Sequence, residues 1–228
     1  MDGSLYNLIH RLQGRYRDPL LTTLTLLLLF LMFVVAPLQA AGVVAFEAIG
    51  FVIACLLIGG GLIISASTVA FSVLLVALLM NVVAAVLRLS APTHFDVFLV
   101  AGAWALFAVT LGWIVSVAVF SSGRVNYHRI VGAILLYLLI GLLFVSFFVF
   151  IGLLVPKAFN GIAVEDNVAL ASNLIYFSFV TLTSTGYGEI VPVHPVARSL
   201  CNLETIIGQL YPATLLARLV TLELSGRN

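Results

Sequence analysis

Thr181-Leu182-Thr183-Ser184-Thr185-Gly186-Tyr187-Gly188 lies between two long apolar segments and runs into Glu189-Ile190-Val191-Pro192. Two glycines flanking a tyrosine, after a run of hydroxyl residues, cannot comfortably continue a helix, because glycine is costly there. Backbone at membrane depth must be hydrogen-bonded or must line a polar cavity. Glycine tolerates positive φ and lets successive carbonyls aim the same way. Carbonyls so aimed can replace the hydration shell of a dehydrated ion. The stretch therefore reads as a loop that turns its own backbone oxygens on a cation.

The surrounding chain fits that reading. Of 228 residues, 63% are apolar and 8% are charged, where a soluble domain carries about 25% charged residues. The class is an all-α integral membrane protein. A net charge of +1 gives no ground for a nucleic-acid partner. Cys55 and Cys201 both fall in apolar segments and read as small buried residues, not as a disulfide or a metal site. The first apolar run follows Arg11, Arg15 and Arg17 with no small-residue cleavage site after it, so it reads as a retained helix.

A spanning helix needs about 20 mostly apolar residues. Six such segments are expected, at roughly 19–37, 42–60, 66–88, 94–120, 128–154 and 196–222. Gly59-Gly60-Gly61 and Ser65 to Ser67 mark the expected turn between the second and third, and Pro156 ends the fifth. Residues 156–169 form a polar loop. Residues 170–182 are apolar but reach only about 20 Å as a helix, too short to span. They read as a re-entrant helix leading into the loop. Residues 1–18 have the spacing of a short interfacial helix. With the N-terminus in the cytoplasm, seven Lys and Arg residues lie inside and three (Arg88, Lys157, Arg198) outside. The positive-inside rule favours that orientation. It also puts Glu189 and the loop before the re-entrant helix outside, and both termini in the cytoplasm. The few charges and the lack of targeting signals point to a plasma membrane.

Thr181–Gly188 resembles the T-x-x-T-x-G-Y-G signature of potassium channels. Tyr176 and Phe177 fall where that family's pore helix carries aromatics, Glu189 on its usual aspartate, and Pro192 on its usual proline. Arg198 falls on a common arginine opening the inner helix, and Gly208 on the hinge glycine. The resemblance spans about 100 residues, from His128 to Val220. Ser184 stands where the family has a second threonine, keeping the hydroxyl and losing a methyl; Thr185 stands for the usual valine. The resemblance implies K⁺ as the permeant ion and no further cofactor. Its filter would be Thr183, Ser184, Thr185, Gly186, Tyr187 and Gly188, with K⁺ at the backbone carbonyls of Ser184, Thr185, Gly186 and Tyr187 and the Ser184 hydroxyl at the innermost site. Filter support would come from Tyr176, Phe177, Thr181 and Glu189, with the Tyr187 ring braced on Tyr176 and Phe177. One chain carries one such loop, so the pore must come from a ring of subunits, and the family implies a homotetramer in the bilayer. The division implied is a cytoplasmic segment (1–18), a four-helix peripheral unit (19–123), a pore domain (124–222) and a short tail (223–228).

Three inner-helix residues invite a functional role. Glu204 is an intramembrane carboxylate, costly and functional by default, with Ser178 or Thr181 as candidate partners. Gly208 and Pro212 interrupt helical propensity, so a flexing point, or a fixed kink shaping the cavity, is expected above a gate near Arg218. A voltage sensor needs arginines every third residue, and the segment Phe95–Phe120 has none. Little voltage dependence is expected, and with ten residues after Arg218, no ligand-gating domain. His94, Asp96 and Glu47 have no metal-ligand spacing. A non-selective channel of the same fold is the nearest alternative. A potassium-uptake transporter subunit would carry several copies of the loop. An intramembrane enzyme finds no nucleophile–base spacing among Ser184, His94, His128 and His194.

Overall fold

Pro37 is the first residue to test the expected helix ends. Proline has no N–H to donate and its ring crowds the carbonyl four residues back. In the computed structural model the first helix, α1 (Leu20–Ala40), passes through it. It does so by widening to a π turn over Leu31–Val35, where the Ala36 N–H reaches the Leu31 carbonyl. Such a bulge absorbs the misfit that would otherwise stop the helix. The helix thus outruns the expected end at 37. The structure describes residues 20–43, 47–64, 67–90, 94–120, 127–162 and 169–225. The interfacial helix expected over 1–18 lies outside these, as do Arg11, Arg15, Arg17, Arg124 and Arg227 of the orientation argument.

Next come α2 (Glu47–Ile64), α3 (Thr68–Ser90), α4 (His94–Phe120) and α5 (Tyr127–Leu154). The second helix corrects one expectation. Gly59-Gly60-Gly61 is helical, and the break comes after Ile64. Packing gives the reason: a Cβ on Gly60 would stand 2.7 Å from Leu24 Cδ2, and one on Gly61 would stand 3.4 Å from Leu74 Cδ1. Local glycine propensity is overridden because small residues let helices approach closely. Beyond α5 the chain forms a two-residue strand β1 (Phe159–Asn160), the short helix α6 (Leu170–Leu182), strand β2 (Val191–Pro192) and the long helix α7 (Pro195–Ser225). Glu165 and Asp166 of the expected polar loop lie outside the described residues.

Helix α4 packs along α5 and along α3; α6 is wedged between α5 and α7, and α1 reaches α6. Phe179 of α6 makes the last contact, meeting Phe33 edge-on at 5.1 Å. Its ring fills the notch left by Gly141, where a Cβ would stand 2.7 Å from Phe179 Cζ. The core is an unbroken apolar cluster running from Leu21 to Cys201.

Among the described residues, four helices are long and apolar enough to cross a membrane: Leu20–Ala40, Thr68–Arg88, His94–Val117 and Ile130–Leu154. Large apolar side chains such as Val69, Leu79 and Trp113 point outward, as a bilayer solvent permits. Helix α7 is long enough to span but carries Asn202, Glu204, Thr205, Gln209 and Thr214 among its apolar residues. Three of these, Glu204, Thr205 and Gln209, meet α6 or the loop that follows it.

Candidate functional site

The end of α6 builds the site. Thr183 caps the helix, and Ser184 follows with φ 56°. The Ser184 N–H donates to the Thr181 carbonyl at 2.9 Å and the Thr185 N–H to the Val180 carbonyl at 2.8 Å. This pair is a Schellman cap, whose left-handed position is usually glycine. Here that position is held by a serine. Gly186 has φ 57° and Gly188 φ 95°, while Thr185 and Tyr187 between them are not on the positive side. Backbone that alternates in handedness gathers its N–H groups along one edge and its carbonyls along the other. The N–H edge is held: Thr185 and Gly186 both donate to Val180. The carbonyls of Ser184, Thr185, Gly186 and Tyr187 accept no hydrogen bond among the described residues. All residues from Thr183 to Glu189 are exposed in the single chain.

Side chains brace the loop from behind. The rings of Tyr176 and Tyr187 stack with centroids 6.3 Å apart and planes 3° apart. The Tyr176 hydroxyl donates to Glu189 Oε1. Tyr176 thus holds both the tyrosine of the loop and the carboxylate beyond it. Phe177 turns elsewhere. It packs on Phe148 at 4.9 Å and Phe159 at 5.5 Å, anchoring α6 to α5 and β1 rather than touching Tyr187. Thr181 Oγ1 donates back to the Phe177 carbonyl. Thr183 Oγ1 is bonded to the Phe179 carbonyl at 2.6 Å and to Thr185 Oγ1 at 2.8 Å.

The far end of the loop, past Gly188, is clamped by a device the sequence reading missed. Strands β1 and β2 pair antiparallel, Phe159 opposite Pro192 and Asn160 opposite Val191. The N–H groups of Val193 and His194 both reach the Ala158 carbonyl. Gly161, with φ 88°, lies so close that a Cβ would stand 1.8 Å from the Glu189 carbonyl oxygen. The Asn160-Gly161 pair is a turn signal, but only the fold reveals what it turns around. Arg198 Nε donates to the Pro192 carbonyl at 3.2 Å, tying α7 to the same strand.

Helix α7 supports the inner end. Glu204 is fully buried, and its Oε1 lies 2.6 Å from Ser178 Oγ, the first of the two candidate partners. Ser178 Oγ also lies 3.0 Å from the Gly141 carbonyl. One serine hydroxyl therefore links α5, α6 and α7. Glu204 Oε2 is the buried side-chain oxygen without a hydrogen-bond partner among the described residues. Thr205 Oγ1 donates to the Thr181 carbonyl at 3.2 Å. Gly208 sits directly against α6, where a Cβ would stand 1.9 Å from the Leu182 carbonyl oxygen. Gln209 Nε2 donates to Ser184 Oγ at 2.9 Å. Pro212 lies inside α7, which is continuous from Pro195 to Ser225. Farther down, the Tyr211 hydroxyl donates to the Ala133 carbonyl at 2.8 Å. Arg218 donates to the Phe120 carbonyl and lies over the Phe120 ring at 5.2 Å, so it joins α7 to the end of α4. Neither Thr205 nor Gln209 carries a signal in the sequence, since polar residues on a long helix have many possible partners.

Comparison with known proteins adds the class. A family model described as "Ion channel" matches residues 140–223, the stretch from mid-α5 through α7. The chain is also similar to Protein LctB of Bacillus caldotenax, at 34% identity over 58 residues. That alignment covers 25% of this chain and 42% of the relative. No solved structure matches. The family match and the apolar helices indicate an ion channel in a membrane.

Proposed function

We propose that the chain forms a potassium-selective channel in which Thr183–Gly188 is the selectivity filter. One observation carries this reading. Over Ser184 to Gly188 the handedness alternates, the Thr185 and Gly186 N–H groups are tied to Val180, and four successive carbonyls, Ser184 to Tyr187, are left unpaired among the described residues. In a cavity, such a row offers a dehydrated monovalent cation the oxygens it loses with its water. K⁺ sits in file at the carbonyls of Ser184, Thr185, Gly186 and Tyr187, with the Ser184 hydroxyl added at the innermost site. Several moderate sites in series let ions push one another onward.

One chain presents one row with an open face, so the pore is completed by copies around an axis, four by the family resemblance. Leu203, Ile206 and Leu210 are exposed along one side of α7, which supports burial against neighbouring copies. In this assembly α2 and α7 also cross the bilayer, giving six spans, with Glu189 at the outer mouth. The membrane is the plasma membrane, with both termini in the cytoplasm. Residues 19–123 form the peripheral unit and 124–222 the pore domain. The C-terminal end of α6 points to the cavity, where its partial negative charge favours a cation.

The test is flux through the purified protein in liposomes, with K⁺ on one side and Na⁺ on the other. A reversal potential near the K⁺ equilibrium value is expected. Equal passage of both ions would favour the non-selective reading instead.

A further inference from the structure

We infer that Gln209 is a positioning residue for the innermost ion site, holding the Ser184 hydroxyl in the rotamer that offers a lone pair to the ion. The inference rests on the reading of Thr183–Gly188 as a cation filter.

Three hydroxyl residues sit side by side at the inner end of the loop, and they are not held alike. Thr183 and Thr185 are β-branched, which stiffens χ1, and their hydroxyls are bonded to each other at 2.8 Å. Ser184 is unbranched and has three staggered χ1 wells open to it. Its backbone is fixed by the helix cap, but no bond within the loop orients its side chain. The partner comes from 25 residues away, as Gln209 Nε2 at 2.9 Å. A hydroxyl has two acceptor lone pairs. Gln209 occupies one and thereby sets the direction of the other.

Gly208 makes that reach possible. An amide on α7 can touch the loop only if the helix backbone comes right up to the end of α6. It does so at the residue immediately before Gln209, where there is no room for a Cβ beside the Leu182 carbonyl. Thr205 adds a second stitch one turn earlier, on the Thr181 carbonyl. Gly208 and Gln209 therefore act together: the glycine brings α7 into contact, and the glutamine uses the contact to orient Ser184. Any displacement of α7 at this level changes the innermost site directly.

The test replaces Gln209→Met, which keeps length and helix propensity but donates nothing, in the full chain reconstituted in liposomes. Freeing Ser184 to three wells dilutes the competent rotamer about threefold in each copy. The K⁺/Na⁺ permeability ratio is expected to fall at least about threefold, with the assembly intact. Adding Ser184→Thr supplies β-branching in place of the lost bond and should restore the ratio to within about twofold of wild type. A structural role for Gln209 unrelated to Ser184 would not be rescued in this way. Unchanged selectivity in Gln209→Met, or a loss that Ser184→Thr does not repair, overturns the inference. Should the variant fail to assemble, Ser184 χ1 measured in the wild-type protein by solid-state NMR decides: a single rotamer is required, and an average over wells refutes it. A wild-type channel with no K⁺ preference would instead sink the filter reading itself, and that control is read before any variant.

Discussion

Gly208→Ala separates two explanations of the same glycine. A hinge glycine is there for freedom, and alanine would gain about 0.5–1 kcal/mol of helix propensity while stiffening the joint. A contact glycine is there for space. In this structure the added Cβ would lie 1.9 Å from the Leu182 carbonyl oxygen, 2.8 Å from its carbon and 3.0 Å from Cδ1. Two of these three atoms are backbone, so no rotamer change relieves them. Reaching ordinary contact at 3.4 Å needs about 1.5 Å of separation between α7 and the end of α6. Overpacking costs about 1–3 kcal/mol, and unyielding backbone belongs at the upper end. Net of the propensity gain, destabilisation of about 2 kcal/mol is expected. On soluble-domain scaling that is a melting shift of roughly 4–8 °C. The displaced carbonyl adjoins Thr183, so K⁺ selectivity should fall as well. The assay is thermal denaturation of the purified assembly, followed by flux. Gly59→Ala is the control, since a Cβ there meets nothing within 4 Å, and it should be neutral or stabilising. A Gly208→Ala protein as stable as wild type, altered only in open probability, would refute the packing argument and restore the hinge.

The Glu204 and Tyr176 contacts give two further expectations. Glu204→Gln keeps the length of the side chain and can donate to Ser178 Oγ, so assembly and conductance should be retained. Glu204→Asp withdraws the carboxyl from Ser178 inside a fully buried site and should cost about 1–3 kcal/mol; equal melting points for the two variants would contradict this. Tyr176→Phe keeps the ring stack on Tyr187 but removes the bond to Glu189. K⁺ selectivity should weaken without loss of assembly, whereas full selectivity would show that Glu189 is held by the β1–β2 clamp alone.

Much of the site was legible because its geometry is local. Gly186 and Gly188 announce positive φ by being glycines, and Leu170–Leu182 announces a helix too short to span. The expected end of α5 at 154 and the start of α6 at 170 match the structure, since Pro156 and the switch from polar to apolar residues act within a turn or two. The reading failed where propensity met packing. Three successive glycines look like a turn, yet α2 stays helical because Leu24, Leu74 and Phe107 need the space. The first segment is expected to end near 37, yet a π turn carries α1 through Pro37 to Ala40.

The amino-acid sequence by itself determined that this chain enters a membrane as helices and that a short glycine-bearing stretch after Leu182 departs from them. Both follow from hydropathy and from φ preferences, which each residue carries wherever it is placed. Only the tertiary structure decided which groups hold that loop: Ser178 between Gly141 and Glu204, Gln209 on Ser184, Gly208 against Leu182, and Gly161 under Glu189. These partners are separated by 25 to 37 residues in the first three cases and brought together by helix packing. A hydrogen bond or a missing Cβ is specific only once the facing atom is in place, and no local pattern states which atom that will be.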